Sequence, residues 1–254
     1  ASRDLALYKE LAPNNIDYES RGKRYLLGAE FAPLFQTPSS QVLSWLGEQL
    51  GDATAPSSDA LLPCLAPSRL SSPGLDVLAC ITRAIHLGQV LSIRYHSISS
   101  GESSREIAPF ALLDTGLRWH VRAFDRKSQE FRDFVVTRIS DPTPCPKDTP
   151  LRHERPEHDV QWARIVELDL VPHPDQPRPD ITLMDYDMLG GVLRLKLRAA
   201  LAGYALRKWS VDCSPEHCLR GPEYRLWLKD HLALYGVETA ILAPGYPPGK
   251  EQAT

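Results

Sequence analysis

Arg105, Arg118, Arg122, Arg132 and Arg138 stand in or beside runs of strand-forming residues, with Tyr95, Trp119 and His120 close to them in the chain. A guanidinium presents planar, bidentate donors that match phosphate or carboxylate oxygens. Aromatic rings among such arginines add surfaces on which a base can stack. Ser97, Ser99 and Ser100 supply hydroxyl donors to the same kind of anion. Together these residue types point to binding of a ligand with an anionic part and a planar part, not to bond-making. The plainer alternative is that each arginine is a surface residue paired with Glu102, Glu106, Asp125 or Asp133.

The elements that must position them alternate with period two. Val90 to Tyr95 reads as a strand, followed by a polar break from Ser97 to Gly101. Ser104 to Leu113, Leu117 to Asp125 and Phe131 to Thr137 read as further strands, separated by turns at Asp114-Thr115-Gly116 and Arg126 to Glu130. Such spacing predicts a small antiparallel meander, and a sheet this short is expected to curl into a barrel that removes its edges. Alternation places Arg118, His120 and Arg122 on one face, with Trp119 and Val121 on the other. Arg132, Phe134 and Val136 form a second same-face set.

Four stretches here resemble the WYL domain of bacterial transcriptional regulators: Tyr95-His96-Ser97, Arg105 to Pro109, Leu117 to Asp125 and Phe131 to Ile139. The pattern is most similar to the regulators that accompany phage-defence islands of the BREX and CBASS types. Trp119-His120-Val121 stands where the name-giving Trp-Tyr-Leu would be, and Phe110 follows Pro109 where such regulators often carry histidine. The resemblance implies an Sm-like barrel of the SH3 type that senses a nucleic-acid or nucleotide effector. Tyr95, Ser97, Ser99, Ser100, Arg105, Arg118, Trp119, His120, Arg122, Arg132 and Arg138 are the effector-binding candidates.

A chain of 254 residues has room for two or three small domains. Its net charge of −3 excludes a uniformly basic nucleic-acid binder, so any anion site is local. The five cysteines (Cys64, Cys80, Cys145, Cys213 and Cys218) contain no Cys-x-x-Cys pair and read as free thiols of a reducing compartment. No apolar run has the length of a membrane span, and no signal peptide is apparent. A cytoplasmic location is the expectation.

Towards the N-terminus, Ser2 to Leu11 has a helix start signal and apolar residues at Leu5, Tyr8 and Leu11. Pro13 stops it, and Ile16 to Glu19 and Lys23 to Leu27 read as a basic hairpin. A helix followed by a hairpin is how a winged helix-turn-helix ends, with recognition helix and then wing. The phage-defence regulators carry a similar segment here. Ser2 and Arg3 are the candidates for base or phosphate contacts, and Arg21, Lys23 and Arg24 for wing contacts to phosphate; the alternative is a solvated hairpin. Two preceding helices of such a fold are not in the numbered sequence, so the expectation is a truncated product with an incomplete DNA-binding domain.

Further helices are expected from Pro38 to Leu50 and from Leu75 to Leu87, with an irregular connector over Asp52 to Pro73 between them. Asp141 to Pro156 reads as a linker, Ala163 to Val171 as a strand, Leu193 to Trp209 as a helix and Tyr224 to Leu228 as a strand. This β-α-β pattern, with Asp185-Tyr186, Met188 and Arg198 to Tyr204, resembles the extension that follows WYL domains and implies homodimerisation. The expected fold is α+β: a partial winged helix (1–35), a helical connector (36–88), a barrel (89–142), a linker (143–160) and a C-terminal α/β extension (161–254).

Catalysis finds little support. There is no Gly-x-Ser-x-Gly elbow, no phosphate-cradling glycine loop and no His-Glu-x-x-His. Cys213, His217 and Cys218 lack a fourth zinc ligand at suitable spacing, and His173 between two prolines reads as a turn residue. No catalytic residue, metal or cofactor is expected. The reading is a ligand-responsive repressor, a homodimer on double-stranded operator DNA, controlling a phage-defence operon. The alternatives are a structural module joining its DNA-binding and dimerising ends, or an accessory nucleic-acid-processing protein.

Overall fold

In a computed structural model, residues 2–35, 70–145 and 148–247 are described. The helix expected over 38–50 and most of the connector over 52–73 lie outside them. The chain forms two compact units, Ala1–Ser68 and Arg69–Thr254.

In the first unit, α1 (Ser2–Leu11) precedes an antiparallel hairpin of β1 (Ile16–Glu19) and β2 (Arg24–Leu27). Asn15, 3 % exposed, ties the pieces together. Its Nδ2 donates to the Tyr8 hydroxyl and the Ala32 carbonyl, and its Oδ1 accepts from the Ala32 N–H. Helix, turn and hairpin stand where the sequence predicts them.

The second unit begins with α2 (Leu75–Leu87), which ends at Gly88 in the left-handed conformation, φ 60°. The Gly88 N–H bonds back to the last turn, the usual role of glycine at this position. Ile81 and Ala84 of α2 are fully buried against a five-stranded antiparallel sheet. Its strands are β3 (Val90–Ser97), β4 (Gly101–Asp114), β5 (Trp119–Asp125), β6 (Glu130–Val135) and β7 (Ile139–Cys145). They lie in the order β6-β5-β4-β3-β7. The long β4 pairs with β3 through its first half and with β5 through its second. Its register slips between Pro109 and Ala111, where proline has no N–H for the ladder.

The expected closed barrel does not form. The sheet is open, with β6 and β7 as its edges. The chain crosses from one edge to the other through a three-residue 3-10 turn, Val136–Arg138. Tyr95 takes part in bridging the gap: its hydroxyl accepts from the Val135 N–H at 3.3 Å, and its ring meets Phe134 edge-on at 5.0 Å. A side chain thus satisfies an edge amide that a ladder would otherwise have taken.

The linker expected from Asp141 holds a strand instead, because β7 continues to Cys145. Pro142 and Pro144 sit in β7, which pairs only with β3, and an edge strand is the place a sheet tolerates proline.

The C-terminal part is a three-stranded antiparallel sheet in the order β10-β8-β9: β8 (Ile165–Pro172), β9 (Leu193–Arg198) and β10 (Leu226–Leu228). A one-turn α3 (Val160–Ala163) leads into β8, and α4 (Pro179–Asp185) follows it. The helix expected over Leu193 to Trp209 is a strand for its first six residues, and α5 is Ala199–Lys208. Leu193, Leu195 and Leu197 alternate with Arg194, Lys196 and Arg198, which is period two, and the leucines pack on the core of β8, α5 and β10.

Candidate effector site and DNA-contact residues

The cavity of interest has a volume of about 820 Å³. Its walls come from the hairpin between β3 and β4, the edge strand β6, the stretch entering α3, α5, and the 3-10 turn Glu238–Leu242. Tyr95, Ser97, Ser99, Ser100, Arg105, Arg122 and Arg132 all line it, so most of the effector-binding candidates come together. The volume is within the range of small-molecule sites.

Trp119, His120, Arg118 and Arg138 are not among its lining. Trp119 packs against the sheet core. His120, 7 % exposed, lies against the Tyr204 ring at 5.2 Å, and its Nδ1 is buried without a hydrogen-bond partner. Burial pushes its pKa down; Asp133 and the Arg118 backbone oppose this, while the Arg118 and Arg138 charges add to the lowering. The neutral imidazole is therefore favoured.

Arg122 is the centre of a buried network. Its side chain is 3 % exposed. Nε donates to Asp159 Oδ2 at 2.6 Å and Nη2 to Asp159 Oδ1 at 2.9 Å, a two-pronged grip on one carboxylate. Nη1 donates to Asp133 Oδ1 at 3.0 Å, and the other oxygen of Asp133 accepts from the Tyr204 hydroxyl at 3.1 Å. Burial works against the guanidinium charge, but the bonds from Asp159 and Asp133 outweigh it and raise the pKa. Asp159 also accepts from the Gln161 and Trp162 N–H groups and so caps α3. One arginine thereby fastens the five-stranded sheet to the segment entering the C-terminal part and, through Asp133, to α5.

The other two arginines of the cavity differ in burial. Arg105, 15 % exposed in its side chain, pairs with the fully buried Asp125. Arg132 is 51 % exposed and pairs with the equally open Glu130 at 2.6 Å. The register sets Arg122 opposite Asp133 and Arg132 opposite Ala123, so Arg122 and Arg132 project from opposite faces of the sheet. They reach one cavity because it runs along the free edge of β6, whose consecutive residues Glu130 to Phe134 line it.

Arg126, a turn residue by sequence, is a second hub. It grips Glu154 through Nε at 2.7 Å and Nη2 at 3.0 Å, and it also pairs with Asp148. Burial would push the Glu154 carboxyl up, but Arg126 and the Leu151 N–H overcome it and hold the group below the usual range. A carboxyl depressed in the folded state stabilises it above the unfolded value, about 4.3 for glutamate, and that stability is lost as pH falls through the folded value. Glu154→Gln should flatten the acid limb of an unfolding curve followed by circular dichroism against pH; an unaltered limb would show that this pair is not linked to folding.

Of the DNA-contact candidates, Arg3, Arg21, Lys23 and Arg24 are exposed. Arg24 Nε donates to Glu19 Oε2 at 2.7 Å across the hairpin, and Lys23 sits in its turn with φ 49°. Ser2 opens α1. In the C-terminal part His173 opens a turn, its carbonyl accepting from the Gln176 N–H at 3.1 Å, and its ring is buried as well: it is 3 % exposed and its Nε2 lies 3.1 Å from Oδ2 of the fully buried Asp212. Among the described residues no group of three His, Cys, Asp or Glu side chains is arranged to hold a metal ion, and no helix is long and apolar enough to cross a membrane. Cys80, Cys145, Cys213 and Cys218 are free thiols; Cys64 lies outside the described residues.

Comparison with known families finds three consecutive matches. Residues 1–48 match the BrxR transcriptional regulator winged helix-turn-helix domain, residues 76–144 the WYL domain, and residues 165–234 the BrxR transcriptional regulator C-terminal dimerization domain. Among curated proteins, the chain is similar to the DNA-binding transcriptional repressor CapW of Pseudomonas aeruginosa, 33 % identical over 226 residues, covering 84 % of this chain and 72 % of that protein. CapW of Escherichia coli (strain KTE188) is 31 % identical over 252 residues, covering 93 % and 80 %. CapW of Stenotrophomonas maltophilia is 31 % identical over 224 residues, covering 84 % and 73 %.

Proposed function

The chain belongs to the family of CapW-like transcriptional repressors with winged-helix, WYL and dimerization domains, and from that premise we propose that it is a cytoplasmic, homodimeric repressor of a phage-defence operon whose grip on double-stranded operator DNA is released when a nucleic-acid fragment or nucleotide enters the WYL cavity. The observation that carries the sensing step is the cavity itself, in which Tyr95, the Ser97–Ser100 hairpin, Arg105, Arg122 and Arg132 meet residues of the C-terminal part. Arg3, Arg21, Lys23 and Arg24 meet phosphates, and the dimer sets the spacing of two half-sites.

The arginines divide the work. An exposed ion pair such as Arg132–Glu130 contributes about 0–1 kcal/mol at most, so Arg132 can exchange its carboxylate for a ligand phosphate at little cost. Arg122 cannot, because both of its carboxylates are buried with it. Arg132 is therefore the phosphate ligand, and Arg122 holds the wall on which the ligand rests. The ligand must bind the DNA-competent and DNA-incompetent arrangements with different affinity, or it shifts nothing. A second reading, the WYL sheet as a rigid joint, is favoured by Arg122 alone.

The test is fluorescence anisotropy of 5′-phosphorylated and unphosphorylated single-stranded oligonucleotides at several salt concentrations. Arg132→Ala should weaken binding roughly tenfold or more, as loss of a charge-assisted bond implies. It should also lower the slope of log affinity against log salt by about 0.7, with an unchanged melting temperature. Equal binding by Arg132→Ala, or no binding by any probe, would transfer the weight to the rigid joint.

A further inference from the structure

Four carboxylates line the effector cavity: Glu130, Asp133, Asp159 and Glu238. The first three are spoken for. Glu130 pairs with Arg132 at 2.6 Å, Asp133 with Arg122 and the Tyr204 hydroxyl, and Asp159 with Arg122. Among the described residues the Glu238 carboxylate has neither a hydrogen bond nor an ion pair, while all three lining arginines already hold a carboxylate. What the cavity lacks is a donor, not another acceptor.

Glu238 is also held in place from behind. Its N–H donates to Gln161 Oε1 at 3.2 Å. The next residue, Thr239, accepts from the Gly203 N–H at 3.1 Å and donates to the Ala199 carbonyl at 2.9 Å. The backbone is pinned to α3 and α5, and the acid is left as the one adjustable part. Burial raises its pKa; Arg122 works against this, and Asp159, Asp133 and Glu130 add to it. A ligand donor would relieve that crowding.

We propose that Glu238 is a specificity residue that reads the Watson–Crick edge of a guanine base in the effector. Resting on the reading of the cavity as a nucleotide site, this narrows the ligand class. A carboxylate offers two oxygens side by side, and guanine alone among the common bases presents two adjacent donor positions, N1–H and N2–H₂, to match them. Adenine and cytosine offer a single amino group with an acceptor beside it, and thymine a single ring N–H between acceptors. Tyr95, Phe131, Phe134 and Tyr204 line the same cavity and supply aromatic surface for the base. The carboxylates that surround Glu238 also disfavour polyphosphates, so the fitting ligand has one phosphate per base, as in a nucleoside monophosphate or a short single strand.

The discriminating probe is hypoxanthine, which lacks only the 2-amino group of guanine. Labelled 5′-phosphorylated thymine hexanucleotides carrying one guanine or one hypoxanthine at the same position are titrated, with the two free 5′-monophosphates as competitors. The guanine forms should bind about tenfold or more tightly than the hypoxanthine forms, the difference expected for one charge-assisted bond. Glu238→Gln, at an exposed side chain with no partner among the described residues, should melt as the parent does and reduce that preference to about threefold or less (roughly half of the bond's effect in free energy). Equal binding of both bases by the parent, or an undiminished preference in Glu238→Gln, overturns the role of Glu238 and leaves the nucleotide site standing. Failure of every probe to bind overturns both.

Discussion

Arg122→Ala should lower the melting temperature of the Arg69–Thr254 unit by about 10 °C. Removing one member of a buried ion pair typically costs about 3–5 kcal/mol, because the partner is left charged and dry. Here two partners are stranded, Asp159 at 1 % exposure and Asp133, whose side chain is 8 % exposed. For a unit of this size each kcal/mol moves the midpoint by about 2–4 °C. Arg122→Lys should recover only part of the loss, since an ammonium cannot span both oxygens of Asp159 while reaching Asp133. Differential scanning calorimetry on Arg122→Ala, Asp159→Ala and the double variant would give the coupling energy between them. A midpoint within about 2 °C of the parent, less than one kcal/mol on the same scale, would remove Arg122 from its place as the clamp.

The contrast with Arg132 gives this measurement its bearing on function. If Arg122 fastens sheet to extension and Arg132 meets the ligand, Arg122→Ala loses stability first and Arg132→Ala loses only binding. An effector that reached Arg122 itself would have to displace Asp159, and with it the cap of α3. The five-stranded sheet and the C-terminal part are therefore joined beside the cavity by the Arg122–Asp159 and Asp133–Tyr204 contacts, with His120 and Phe110 packing on Tyr204 and Trp162.

Much of this arrangement is legible in residue order. The alternation in β5 correctly separates Trp119 and Val121, which pack on the sheet core, from Arg122 on the other face. The short-range partners Asp125 and Asp133 are among the carboxylates the plainer reading offers to the arginines. What local pattern does not carry is the non-local half. Asp159 is 37 residues from Arg122 and falls in a stretch that reads as linker. Glu238 follows a segment with no periodic signal. The edge strand β7 hides behind Pro142 and Pro144, and β9 behind leucines that also suit a helix. Closure of the barrel fails as an expectation because a tyrosine hydroxyl and a 3-10 turn stand between the sheet edges in place of a ladder.

Gly203→Ala is expected to destabilise the C-terminal part although alanine is the better helix former by about 1 kcal/mol. Gly203 lies within α5 and has no positive φ, so conformational freedom is not the reason for a glycine here. The reason is space. A Cβ at this position would stand 1.7 Å from the Thr239 carbonyl oxygen and 2.4 Å from its carbon, both backbone atoms that cannot rotate away. Relief requires α5 and the turn Glu238–Leu242 to separate, which breaks the Gly203 N–H bond to Thr239 and the Thr239 bond to Ala199. Overpacking of this kind costs about 1–3 kcal/mol or more, so the midpoint should fall by roughly 5 °C. The same displacement carries Glu238 away from its place in the cavity wall, and ligand affinity measured by anisotropy should fall with stability. Ala202→Gly, one residue earlier, controls for helix propensity: it should cost about 1 kcal/mol plus the lost methyl packing. Its effect on the ligand should be small, because Thr239 stays where it is. A Gly203→Ala variant as stable as its parent, with unchanged ligand affinity, would show that the turn bearing Glu238 does not rest on α5.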